Sequence, residues 1–429
     1  MNKINRFIES NIDKIILVFL FLNPFLDVLA GLQTHYLNIS FSFSSVIRLI
    51  FMLLCIYYIF CLDNTVDKNI NKKYLLVLFA YFILFSITTI LYKDYNALGY
   101  EIKNTLNTFY FPVVLIALFD MFIQYKIKIS LKQIIMIYFI YVLFVLIPDF
   151  FKVGFISYYH SKVGSVGWFI SANAVGNILS LLMPFFAYYL INSKEHKIFK
   201  CILTIMLLIV LSDMGTKVPM LSLLIVMLFH LIYYLIEWIK NKETKKIVIS
   251  IIATLVVVVS SIIMVPKTSF YKNIEIHKDF LGINHYYEVL TDYHLIDHFI
   301  FSQRLTFLSN THKNYKESSV LEKISGIGYI EKYGTDSVST KTIEIDYFEV
   351  FYRNGIIGFI LFFYMIIKVV KSTLSNIKEK SLINLEFKTC YLLIILLALF
   401  SGHILVTPAV SIFVSLTLVM PFFKENFVK

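Results

Sequence analysis

Long apolar stretches alternate with short polar ones along the whole chain. The apolar runs fall at about 13–32, 44–62, 74–92, 105–123, 131–151, 173–192, 198–213, 218–238, 247–265, 347–370, 387–404 and 407–423. A helix rises 1.5 Å per residue, so about 20 apolar residues cross a hydrocarbon core of about 30 Å with every backbone polar group bonded within the segment. The pattern predicts an all-α fold, a polytopic integral membrane protein with about twelve transmembrane helices, the seventh and twelfth being the shortest. The first run follows Lys3, Arg6 and Lys14, as a signal peptide would. It is long for one and leads into a regular multi-span pattern, so it reads as an uncleaved first helix.

The polar connections are short with one exception. Residues 266–346 form a segment of roughly 80 residues between the ninth and tenth runs, and loops of that length are functional or disordered. Its Tyr, Phe, Leu and Ile content and nearly balanced charge argue against disorder. Within it, His294 to Lys313 predicts an amphipathic helix with Leu295, Phe299, Phe307 and Leu308 toward membrane or core and Arg304 in its middle. Gly326 to Gly334 is turn-rich, but lacks the third glycine and the strand-to-helix context of a dinucleotide fingerprint. One membrane domain, residues 1–429, capped by 266–346, is the economical organisation.

Composition agrees with the pattern: the chain is 58% hydrophobic, 17% aromatic and 16% charged, where soluble domains are about one quarter charged. Charge then adds orientation. Lysines and arginines gather in alternate connections, among them Lys68, Lys72 and Lys73, then Lys126, Lys128 and Lys132, then Lys194, Lys197 and Lys200. The connections between hold few, such as Lys152, Lys162 and Lys217. By the positive-inside rule both termini are cytoplasmic and the long loop is extracytoplasmic. The net charge of +11 is thus spread over cytoplasmic loops and gives no patch for nucleic acid. Cys55, Cys61, Cys201 and Cys390 all lie in predicted helices, so no disulfide framework is implied.

Candidate chemistry concentrates at the extracytoplasmic ends of the helices. Glu344 and Asp346 precede the tenth run; as carboxylates they suit a helix N-terminus, and either also suits a general base. Glu349 and Arg353, four apart, predict a helical ion pair of about 0.2–0.5 kcal/mol. Arg304 is either a snorkelling arginine or a bidentate phosphate ligand. Lys217 is the one basic residue of a very short outer loop with Gly215 and Pro219, an isolation that favours anion binding. Arg48, a turn inside the second run, should pair with Asp27 near the outer end of the first and could still meet a phosphate. A His294/His298 pair and a Glu344/Asp346 clamp have metal-ligand spacing, but exposed residues and helix caps are the plainer readings; no metal or other cofactor is expected.

The arrangement resembles the O-antigen ligase and polysaccharide polymerase family, in which about twelve helices carry one large extracytoplasmic loop between the ninth and tenth. The resemblance is most specific where Gly326 and Gly328, Tyr347, and Gly355-Ile-Ile-Gly358 match the family's Gly-x-Gly, tyrosine and helix. Counted back from Gly355, Glu344 stands where the family has a histidine, so a carboxylate replaces an imidazole. Arg304 falls where the family keeps a loop arginine, and Lys217 where many members carry Ser-Arg-Gly. The resemblance implies an undecaprenyl-diphosphate-linked glycan donor, a glycan acceptor and transfer to a hydroxyl without nucleotide sugar, at the bacterial cytoplasmic membrane. Arg304, Lys217 and Arg48 would then hold the diphosphate, with Glu344 or Asp346 as base. A polymerase is expected; a ligase using another anchor remains the alternative. A lipid-linked oligosaccharide flippase is the rival class, although no two related halves are visible. A non-catalytic scaffold would give Arg304 and Glu344 no reason to converge.

Overall fold

In the computed structural model, which describes residues 3–37, 42–93, 95–157, 162–241, 245–330 and 342–428, each apolar run folds as helix. The first nine are α1 (Lys3–Leu32), α2 (Phe43–Cys61), α3 (Lys68–Lys93), α4 (Leu98–Tyr125), α5 (Leu131–Phe150), α6 (Ala172–Asn192), α7 (Lys197–Asp213), α8 (Lys217–Asn241) and α9 (Lys245–Met264). The long connection carries α10 (Ser269–Phe280), a single turn α11 (Tyr293–Leu295), α12 (Arg304–Glu317) and α13 (Val320–Ser325). Then come α14 (Asp346–Asn376), α15 (Leu382–Phe400), α16 (Pro408–Val419) and a terminal turn α17 (Glu425–Val428). Among the described residues 10 helices are long and apolar enough to cross a membrane. The seventh and twelfth expected spans are the shorter α7, with 17 residues, and α16, with 12, which a 3₁₀ turn extends to Phe423. A two-stranded ribbon, β1 (Phe155–Ile156) against β2 (Ser165–Gly167), sits between α5 and α6.

Helix α3 shows how the runs sort themselves. Leu76, Phe79, Ile83, Ile87 and Ile90, spaced three and four apart, are exposed, whereas Leu75, Leu78, Tyr81, Phe85 and Thr88 are buried. On a soluble protein such an apolar outer stripe would be a liability; in a bilayer it is the lipid face. Helix α4 is apolar all round, and Phe109 to Phe122 is buried on every side, as expected of a helix within a bundle. It packs against α2, α3, α14 and α16, while α6 packs against α5, α8 and α15.

Two expected helices are broken, and both breaks shape the site. Helix α14 is interrupted at Gly355 (φ 64, ψ −174), so 346–354 is a buried half-helix and only 356–376 continues as a span. The break frees the carbonyls of Tyr352 and Arg353, which accept instead from Ile327 N at 3.1 Å and Gly328 N at 3.0 Å. A Cβ on Gly355 would run into the Gly326 nitrogen, so the Gly-x-Gly turn and the helix break need each other. The expected helix from His294 to Lys313 is likewise split, because Ser302 and Gln303 take positive φ. Asp297 binds Leu305 N (2.8 Å) and Thr306 N (3.0 Å), capping a new helix that begins at Arg304. Of the turn-rich stretch 326–334, residues 331–334 lie outside the described residues.

Candidate functional site

Arg304 is buried at the start of α12, in neither the mid-helix nor the snorkelling position considered from the sequence. Its Nε and Nη2 donate to Glu344 Oε2 at 3.2 and 2.9 Å. Nη1 donates to the Phe400 carbonyl at 2.5 Å and Nη2 also to that of Ser401 at 3.1 Å. The guanidinium therefore ties the long connection, the segment just before α14 and the end of α15 together. On the other side of Glu344, His403 Nε2 lies 3.8 Å from Oε1. Burial alone would raise the Glu344 carboxyl, but His403 and Arg304 outweigh it and hold it down at about 2. Burial opposes charge on His403 too, yet Glu344 and Asp346 leave its imidazole raised above its ordinary value.

The backbone here is strained. Glu344 (φ 58) and His403 (φ 60) both occupy left-handed conformations that non-glycine residues rarely adopt, a condition found at functional sites. Between them Gly402 passes so close that a Cβ would strike the Glu344 carbonyl. Asp346 holds this arrangement. Its Oδ1 accepts from His403 N at 2.6 Å, and its Oδ2 from Ile404 N at 2.9 Å and Leu405 N at 2.8 Å. Fully buried with both oxygens engaged, Asp346 anchors the 401–407 turn rather than capping α14.

Glu349 and Arg353 form the expected ion pair, 3.4 Å apart, but buried. Glu349 also accepts from Ile343 N at 2.6 Å, and Arg353 Nη1 donates to the Gly328 carbonyl at 3.0 Å. These charges brace the ends of the long connection against the half-helix. Glu101 does the same from α4, accepting from Tyr329 N, Ile330 N and Lys93.

Beside Arg304 opens a cavity of about 570 Å³. Lys162, Lys217, Arg304 and His277 line its polar part; Val218, Leu221 and Ile225 of α8 and Leu393 and Leu397 of α15 form apolar walls. Lys217 is held there by the Phe299 carbonyl, 2.6 Å from Nζ, and stands over the Phe299 ring. Lys162 is brought in by Asn273, whose amide bonds Val163 N and O and also the Gly215 carbonyl. Burial and the two neighbouring lysines push His277 down to about 4, so it stays neutral and donates or accepts as a polar group.

Of the residues singled out from the sequence, Arg304 and Lys217 thus share one cavity, and Glu344 is bonded to Arg304. Arg48 is not with them. It pairs with Asp27 at 2.5 Å, as expected, donates also to Asn23 Oδ1, and lines a separate cavity of about 180 Å³ with Asn107, Tyr110 and Thr407. It therefore lies on a different cavity from Lys162, Lys217 and Arg304. Three residues were missed. Lys162 had a signal, being a lysine in a lysine-poor loop; His277 had none. Reading 387–404 as one span hid His403, although Ser401-Gly402-His403 is an unusual interruption of apolar sequence.

The sequence model of the family described as O-antigen ligase like membrane protein matches residues 9–288 and 289–422 of the chain. No curated protein matches it.

Proposed function

The chain belongs to the family of O-antigen ligase-like membrane proteins, and from that premise we propose that it is a bacterial cell-surface polysaccharide polymerase. Membership supports a multi-pass membrane enzyme that processes glycans. The finer reading is a glycosyltransferase that joins undecaprenyl-diphosphate-linked units on the extracytoplasmic face, beside the long connection that carries α10 to α13.

The observation that carries it is the cavity beside Arg304. Cations at one part and apolar helix walls at the other fit one kind of ligand, a long hydrocarbon ending in a phosphate group. In this reading the prenyl chain lies between α8 and α15, and Lys162, Lys217 and Arg304 face the diphosphate. An acceptor hydroxyl oxygen attacks the anomeric carbon, and the bond from that carbon to the diphosphate oxygen breaks. The electron pair leaves on the diphosphate, where fixed cations stabilise the growing charge. The hydroxyl proton passes to the Glu344 and His403 cluster, while Asp346 keeps the turn in place.

The test is to incubate the purified protein with a short undecaprenyl-diphosphate oligosaccharide, without nucleotide sugar, and to follow products by mass spectrometry. Lipid-linked glycan of doubled and higher length is expected. Movement of the same lipid across a proteoliposome bilayer with no new product would overturn the reading in favour of a flippase. Transfer only to a different anchor would make the protein a ligase.

A further inference from the structure

Glu344 is a carboxylate already engaged by a guanidinium, an arrangement suited to holding another group in place. The group beside it is His403, 59 residues further along the chain. Three independent features converge on that imidazole. Arg304 fixes Glu344 and, through the Phe400 and Ser401 carbonyls, the end of α15. Asp346 fixes the backbone of His403 and the two residues after it. Both Glu344 and His403 hold left-handed backbone conformations, strain that only surrounding structure sustains.

We propose that His403 is the proton acceptor of the transfer reaction and that Glu344 is its positioning residue. The inference rests on the glycosyl transfer proposed above. His403 Nε2 faces Glu344 Oε1 at 3.8 Å, an ion-pair distance longer than a hydrogen bond, as catalytic contacts often are before substrate binds. Nδ1 has no protein partner among the described residues, and the side chain is 29% exposed. In the step, the acceptor O–H bond breaks and its proton moves to Nδ1. The oxygen bonds to the anomeric carbon, and the diphosphate departs with the electron pair of the broken C–O bond. The resulting imidazolium is stabilised by Glu344, which remains ionised throughout.

The groups that set the charge of His403 are Glu344 and Asp346 beside it, Arg304 beyond Glu344, and Glu349 with its partner Arg353 on the half-helix. Neutral imidazole is needed, so the rate should rise with pH, with a midpoint above the ordinary histidine value of about 6.5. Glu344→Gln removes a negative neighbour, so its midpoint should move to lower pH. The experiment measures kcat from pH 5 to 9 for the wild type, His403→Gln and Glu344→Gln on the undecaprenyl-diphosphate oligosaccharide.

His403→Gln should lower kcat at least about 100-fold, within the usual range for a lost proton acceptor, and abolish the rising limb. A His403→Gln protein with wild-type kcat and pH profile overturns the inference while leaving the polymerase reading intact. Should His403→Gln fail to fold, the Glu344→Gln profile decides: an unmoved midpoint overturns the inference, a midpoint shifted to lower pH supports it. Absence of product from the wild type at every pH overturns the functional reading and the inference with it.

Discussion

At the scale of single residues, the charges next to the tenth apolar run have distinct tasks. Glu344 faces Arg304 and His403, Asp346 holds a backbone turn, and Glu349 with Arg353 braces the loop ends. Asp346→Asn keeps the shape but trades one acceptor oxygen for a donor aimed at backbone N–H groups. Charged hydrogen bonds are worth about 1.5–3 kcal/mol each, so a fall in stability of that size is expected in thermal or denaturant unfolding. The pair of titrating groups also sets a pH window. Glu344 is depressed from 4.5 to about 2, so its contribution is whole above about 4.5 and is lost as pH falls toward 2. His403 is raised, so its contribution is whole below its unfolded value of 6.5 and is lost as pH climbs through its higher folded value. Hydrogen-exchange protection of residues 401–407 should therefore peak between about pH 4.5 and 6.5 and decline on both sides.

At the scale of elements, the long spans were legible because length and apolarity alone determine them: a bilayer leaves the backbone no alternative to helix. The breaks were not. The run from Ile356 to Ile367 is apolar on either reading, and only the crossing of Gly326 against Gly355 decides that the helix stops there. Arg304 and Glu344 are 40 residues apart, and Asp346 and His403 57 apart, so nothing local announces their pairing. The Gly-x-Gly and Gly-Ile-Ile-Gly matches marked the right segments without showing that they touch. Gly355→Ala places a methyl group into the Gly326 backbone at a φ and ψ open to glycine alone. Strain and overpacking of about 1–3 kcal/mol each should lower the melting temperature sharply. Gly99→Ala in α4, where an added Cβ meets nothing within 4 Å, is the matched control and should be neutral or slightly stabilising.

At the scale of the whole molecule, the outward-facing stripe of α3 and the buried α4 describe a bundle built to stand in lipid, with its polar machinery at one end. The cavity joins the two environments, since α8 and α15 provide apolar walls while Lys162, Lys217 and Arg304 provide cations. That union is the central claim, and lipid binding tests it most directly. Native mass spectrometry of the detergent-purified protein would compare undecaprenyl diphosphate with undecaprenol, which lacks the phosphates, on the wild type and Lys217→Gln. A lost charged contact of about 1.5–3 kcal/mol is roughly tenfold or more in affinity. The wild type should retain the diphosphate lipid far better than the alcohol, and Lys217→Gln should lose about tenfold for the diphosphate lipid alone. Equal retention of both lipids, or a Lys217→Gln protein that binds the diphosphate as the wild type does, would contradict the account.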